Sequence, residues 1–97
     1  MRGEVEEALA VALAAGEVRH AFQPIWRLDP PMLHGFEALA RFPGGVCPDE
    51  VWALARERGE VARLDVISVR CALAEAYPLV GRLFVNVDAS WFGMAES

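Results

Sequence analysis

The sequence predicts an α/β fold of order α-β-β-α-α-β, and three observations support this. Two stretches of alternating polar and apolar residues flank a turn at Asp29-Pro30-Pro31, which is typical of an antiparallel hairpin. Two stretches with helical periodicity follow, and a third alternating stretch comes after them. Because a strand, a helical crossover and another strand usually form a parallel pair, we expect a parallel last strand and an antiparallel first strand.

The 97 residues form one domain in this interpretation. The N-terminal helix is predicted for residues 1–16, where apolar residues follow helical spacing and Gly16 ends the helix. The hairpin occupies residues 17–42, two helices occupy residues 48–77, the third strand occupies residues 82–88, and an apolar tail occupies residues 89–97. Since Pro24 cannot donate to a strand ladder, it indicates either an edge strand or the end of a strand.

The composition indicates a chain that buries apolar surface against a partner. It is 55% hydrophobic, which is high for a small domain because such domains bury a small share of their surface. We therefore expect a homo-oligomer, a dimer or larger.

The net charge of −5 and the dispersed basic residues predict no nucleic-acid interface. No membrane span and no signal peptide are predicted, so a cytoplasmic location is expected.

Residue usage is skewed in a way that is typical of a GC-rich genome or a thermophile. All nine basic residues are arginine, and the chain has one glutamine, Gln23, and one asparagine, Asn86. Cys47 and Cys71 show no metal-ligand spacing, so we interpret them as reduced thiols.

Glu37 is a carboxylate in the middle of the second predicted strand. Alternation places it on one face with Leu39 and Arg41. A carboxylate between apolar neighbours is costly to bury without a cation or hydrogen-bond donors. The sequence leaves three partners open, namely a metal ion, an arginine, or water at a strand end.

Polar residues on neighbouring strand ends suggest a divalent-cation site. Asn86 and Asp88 share a face near the end of the third strand. Glu37 and Asn86 could supply two of the oxygen ligands that Mg²⁺ prefers, and Asp88 is a possible third. Arg41 could hold a phosphate, and Gln23 could reach the same opening from the first strand. The structural alternatives are a salt bridge for Glu37 and a strand-end turn for Asn86.

Four blocks together resemble the EAL domain, a family that hydrolyses the bacterial second messenger cyclic di-GMP in signal transduction. Glu37-Ala38-Leu39 is the motif that gives this family its name. The blocks follow in the family's order and cover about Gly16 to Asp88. They are Phe22-Gln23-Pro24-Ile25, Gly35-Phe36-Glu37-Ala38-Leu39-Ala40-Arg41, Pro48 to Glu57-Arg58-Gly59, and Phe84-Val85-Asn86-Val87.

The resemblance implies the N-terminal part of a TIM-like (β/α)8 barrel whose first strand is antiparallel to the rest. It implies that Glu37 and Asn86 match ligands of Mg²⁺ or Mn²⁺. It also implies that Gln23, Leu39 and Arg41 match positions lining the dinucleotide pocket. In the family, two such ions activate water for attack on one phosphodiester, and the product is the linear dinucleotide.

The departures from the family pattern predict a chain that is inactive alone. A full barrel takes about 250 residues. The family's later metal carboxylates, its paired aspartates and its catalytic lysine have no counterpart, and the chain contains no lysine. We therefore expect a truncated EAL domain that self-associates. One alternative is an enzyme half completed by missing sequence or a partner, and another is a non-catalytic cyclic di-GMP-binding or protein-interaction module.

Overall fold

A computed structural model describes residues 2–77, 79 and 81–87, which form three helices and a three-stranded sheet. The helices are α1 (Arg2–Ala15), α2 (Pro48–Glu57) and α3 (Val61–Ala76); the strands are β1 (Arg19–Leu28), β2 (Pro31–Arg41) and β3 (Arg82–Val85). A 3-10 turn at Pro43–Gly45 connects β2 to α2. This order of elements agrees with the predicted order. The predicted tail at residues 89–97 lies outside the described residues.

The sheet has the order β1-β2-β3 and contains both strand directions. β1 pairs with β2 antiparallel, with Gln23 opposite Glu37, and the register shifts between Ile25 and Trp26. β2 pairs with β3 in parallel, with Glu37 beside Phe84. β1 carries Pro24 and lies at an edge of the sheet, which is one of the two positions that the sequence left open.

The assignment to a truncated (β/α)8 barrel of the EAL type is wrong. The described residues form a small α+β domain with a mixed sheet and three helices. In a (β/α)8 barrel strands alternate with helices and close into a ring. Here β1 and β2 follow one another directly, α2 and α3 lie together between β2 and β3, and the three described strands form a mixed sheet. The prediction failed because a hairpin, a helical crossover and a parallel strand are compatible with several layer architectures.

The hydrophobic core lies where β1 begins and β2 ends. All three helices contribute to it, and Val18 and Phe42 join it from the sheet. The helical members are Val5, Leu9, Ala12, Leu13, Val51, Leu54, Ala55, Leu64 and Ile67. The far end of the hairpin therefore projects beyond the core, and its apolar side chains are exposed. Trp26 is 59% exposed and Leu28 is 86% exposed.

The helices cover one face of the sheet. On that face Ala38 and Phe42 are buried, and the His20 side chain contacts α3. The residues that alternate with them are half-buried or exposed, and these are Arg19, Ala21, Gln23, Glu37, Leu39 and Arg41. We call this second surface the open face. It contains every predicted site residue of β1 and β2.

Polar contacts hold the helices together at their ends. Gly16 has a positive φ of 66° and ends α1, as predicted. Arg63 of α3 donates from Nη2 to the carbonyl oxygen of Leu13 at 3.1 Å, where a cation also complements the helix dipole. Arg58 Nη2 lies 2.8 Å from Glu6 Oε2 and joins α2 to α1.

Among the described residues, no helix combines the length and the apolar character that a bilayer crossing requires.

Gly35 sets the distance between β2 and β3. It is buried and stands beside Arg82 in the parallel register. A Cβ atom at this position would overlap the backbone carbonyl oxygen of Arg82. Since backbone cannot rotate away as a side chain can, only glycine allows this approach.

We expect Gly35→Ala to destabilise the domain by about 1–3 kcal/mol, because the added methyl group would force β3 away from β2. Urea unfolding monitored by circular dichroism would measure this. Gly3→Ala is the matched control, since nothing lies within 4 Å of the added atom. Its stability should stay within about 1 kcal/mol of the parent chain. Equal stability of the two variants would contradict the steric argument.

Candidate functional site

Glu37 and Asn86 meet through their side chains. Asn86 Nδ2 donates to Glu37 Oε2 at 3.0 Å. Phe84 stands beside Glu37 in the register, so Asn86, two residues further on, projects from the same face. The sequence left a metal ion, an arginine or water as partners for this carboxylate. The described partner is instead a neutral amide, and two polar residues 49 positions apart are brought into contact.

Gln23 completes a row of polar side chains across the open face. It stands opposite Glu37 in the antiparallel register and is exposed. Gln23 and Glu37 therefore stand at the same level of the sheet, and Asn86, two residues beyond the register partner of Glu37, reaches Glu37 from the third segment. We call these three residues the polar row. The sequence predicted all three as site residues.

Leu39 and Arg41 extend the site along β2 toward the core. Arg41 is exposed, and its Nη1 donates to the carbonyl oxygen of Ala40 at 3.0 Å. Its Cα lies about 13 Å along the strand from that of Glu37, given the rise of an extended chain. A ligand that touched both residues would therefore have to be elongated.

A cavity of about 480 Å³ opens where β2 and β3 end. Leu39, Arg41 and Asn86 line it together with side chains from the helices, including Trp52. Gln23 and Glu37 are outside this lining. The structure therefore joins Leu39, Arg41 and Asn86 at one cavity and links Glu37 to it through Asn86. Asp88, the other predicted ligand, lies outside the described residues.

The polar row offers a small oxygen donor set. A half-turn of the Asn86 amide would present Oδ1, instead of Nδ2, beside the Glu37 carboxylate. The two oxygens would then suit a hard cation such as Mg²⁺ or Mn²⁺, which is commonly held by one or two carboxylates plus water and substrate phosphates. Within residues 2–77, 79 and 81–87, no group of three or more His, Cys, Asp or Glu side chains could hold a metal ion. These two side chains therefore suit a cation that is bound weakly.

Trp52 is fixed in the cavity wall by two contacts. Its Nε1 donates to Asp65 Oδ1 at 2.7 Å. Its ring meets Phe42 edge to face, with 5.9 Å between the ring centroids. Asp65 is fully buried in α3, so the bond to Trp52 offsets part of the cost of burying that carboxyl group. The cavity therefore has one apolar wall with a defined orientation.

A second polar cluster was not predicted from the sequence. His20 of β1 contacts Ser68 and Glu75, which both lie on α3. The spacing of apolar residues alone predicts a buried stripe of Leu64, Ile67, Cys71 and Ala74 on α3. In the structure the buried residues of α3 are Leu64, Asp65, Ile67, Ser68 and Ala72, and Ala74 is exposed. Polar residues at helical spacing on α3 were the available signal, and they indicate a side-chain network between α3 and the sheet.

The Glu37–Asn86 contact should contribute about 0.5–1 kcal/mol, because it joins a carboxylate to an amide at a solvent-accessible site. A double-mutant cycle with Glu37→Ala and Asn86→Ala would measure this coupling by urea unfolding. Gln23→Ala with Asn86→Ala is the matched cycle, and no contact between these two side chains is described. A coupling near zero in the first cycle would contradict the contact.

Comparison with known proteins gives one informative relative. No protein-family model matches the chain. The chain is 38% identical over 93 residues to a protein of Sinorhizobium fredii (strain NBRC 101917 / NGR234) named uncharacterized protein y4lL. The alignment covers 92% of this chain and 11% of that protein. The chain is therefore similar to a short segment of a much longer polypeptide.

Proposed function

We propose that the polar row is the metal-binding part of a site for cyclic di-GMP, and that this chain does not hydrolyse the dinucleotide alone. The 3.0 Å contact between Asn86 and Glu37 carries the proposal. It brings the chain's one asparagine to the carboxylate of the Glu37-Ala38-Leu39 motif. The resemblance to the EAL family motifs adds support, because it assigns metal-ligand roles to these two residues.

The neighbouring residues suit a phosphodiester ligand. Arg41 is exposed on the open face and can offer a planar pair of donors to a phosphate oxygen. Gln23 stands at the level of Glu37 and can donate to or accept from a base or sugar group. Leu39 supplies apolar surface between them. The separation of Arg41 from Glu37 favours a ligand as long as a dinucleotide.

The small number of candidate metal ligands supports the proposal that the isolated chain is inactive. A bound divalent cation would neutralise phosphate charge and lower the pKa of a water molecule. Glu37 and Asn86 could hold such a cation with two oxygens, which leaves most of its coordination positions to water, substrate or other groups. The long relative is compatible with further groups being supplied by sequence outside this chain.

We also propose that the chain associates with itself. The far end of the hairpin carries a cluster of exposed apolar side chains, which we call the hairpin patch. Its members are Trp26, Leu28, Met32 and Leu33. Trp26 stands opposite Leu33 in the register, so these two exposed apolar residues are neighbours across the hairpin. We propose in addition that the protein is located in the bacterial cytoplasm.

We expect Mn²⁺ to bind weakly and through Glu37. Glu37→Gln should abolish binding, whereas Asn86→Asp should tighten it about tenfold by adding a second carboxylate ligand. Titration followed by the electron paramagnetic resonance of free Mn²⁺ would measure both. Glu17→Gln is the matched control, because it removes the same charge at an exposed position outside the polar row. Binding that survives Glu37→Gln would refute the assignment.

Incubation of this chain with cyclic di-GMP and Mn²⁺ should yield no linear dinucleotide by liquid chromatography. Formation of the linear product would contradict the proposed inactivity, although it would support the substrate. Calorimetric binding of cyclic di-GMP without turnover would favour the binding-module alternative.

Sedimentation velocity at micromolar concentration should give a dimer or larger species. Leu28→Ser should weaken association about tenfold, since the removed side chain is the most exposed apolar member of the hairpin patch. Val11→Ser is the matched control, because Val11 is exposed on α1, away from the patch. A monomer at these concentrations would contradict the proposal, as would an equal effect of the two variants.

A further inference from the structure

We propose that Ser68 is an activated nucleophile that reacts with small carboxylic esters entering the cavity. His20 acts as its base, and Glu75 positions His20. This proposal is independent of the proposed cation site, because it uses the helix-covered face of the sheet and none of the polar-row residues.

The geometry of the three side chains carries the proposal. His20 Nε2 lies 2.9 Å from Ser68 Oγ, and His20 Nδ1 lies 2.7 Å from Glu75 Oε2. A serine, a histidine and a carboxylate joined in this order form the arrangement that activates serine in unrelated folds. The Glu75 carboxylate accepts the hydrogen bond that His20 Nδ1–H donates, so Nε2 is left to accept the proton of Ser68.

The histidine is held from several directions. Its side chain is 1% exposed, and its backbone N–H also donates to Glu75 Oε1 at 3.2 Å. Arg19 forms an ion pair with Glu75, and its Nε lies 3.7 Å from Glu75 Oε1. The imidazole therefore cannot rotate without breaking its contacts to Glu75 and to Ser68. A buried histidine fixed in one orientation is what a general base requires.

Access distinguishes this cluster from a purely structural one. Ser68 and His20 both line the 480 Å³ cavity, so the reacting atoms have an approach from outside. The cavity wall near them includes the Trp52 ring and the first turn of α2, at Cys47 to Asp49. The ring suits an apolar acyl group. Pro48 in this turn has no backbone N–H, so the N–H of Asp49, which has no helical partner, is the group that can favour a developing negative charge.

The proposed reaction is a complete acyl transfer. Ser68 Oγ adds to the ester carbonyl while its proton passes to His20 Nε2. The C–O bond to the alcohol then breaks, and the alcohol leaves with that proton. Water, giving a proton to the same nitrogen, attacks the acyl group, and the carboxylic acid and the Ser68 hydroxyl are released. The substrate class is a small ester with an apolar acyl group.

Labelling with an alkyl fluorophosphonate, followed by mass spectrometry of peptides, tests the proposal in the intact chain. The chain contains three serines, Ser68, Ser90 and Ser97, and no threonine, so the other two serines are internal controls. Ser68 should be labelled at least about a hundredfold faster than either, which is the gain a positioned base gives. Labelling of Ser68 at the same rate as Ser90 or Ser97 would overturn the proposal.

Variants separate the role of His20 from a structural one. His20→Ala should abolish labelling of Ser68, and added imidazole should restore part of it, which a structural role would not predict. Glu75→Gln should slow labelling without abolishing it. His34→Ala is the matched control, because it removes the chain's other histidine. Circular dichroism checks folding, and if His20→Ala is unfolded, the comparison among the three serines in the parent chain remains decisive.

Discussion

The close approach of β3 to β2 at Gly35 is the constraint on which the open face depends. A side chain there would overlap the backbone of Arg82, so the parallel register requires a glycine. That register sets Glu37 beside Phe84 and brings Asn86 to the carboxylate. The polar row therefore follows from backbone packing between segments that two helices separate in sequence. The side chains of the polar row would therefore be neighbours even without a direct attraction between them.

The two faces of the sheet have different roles because the helices cover only one of them. On the covered face, His20 joins β1 to α3 through Ser68 and Glu75, and this network lies at the margin of the apolar core. The open face carries more polar and charged residues than apolar ones. The cavity at the ends of β2 and β3 is reached from both faces, since Asn86 and Ser68 both line it. The proposed serine chemistry would thus use this cavity, whereas Glu37 lies outside its lining and is connected to it through Asn86.

Local patterns in the sequence predicted the elements well, but they did not determine how the elements assemble. Alternation around Asp29-Pro30-Pro31 identified the hairpin, and Pro24 indicated an edge strand or the end of a strand, because these are properties of short segments. The barrel assignment failed because closure depends on contacts that no short segment encodes. Glu37 and Asn86 were predicted from residue type and motif, whereas His20, Ser68 and Glu75 were missed. Their contact depends on which side of α3 faces the sheet, and a shift of the buried stripe toward Asp65 and Ser68 changed that.

Pro24 has a consequence for how the sheet can grow. It removes a backbone donor from β1, and the irregular register after Ile25 twists the same margin, so an incoming strand would find a poor template there. β3 contains no proline, and among the described residues no strand is paired along its far side. Any additional strand, from a longer polypeptide or from another molecule, would therefore be recruited beside β3. Growth of the sheet would then proceed in one direction only, outward from Asn86 and the mouth of the cavity.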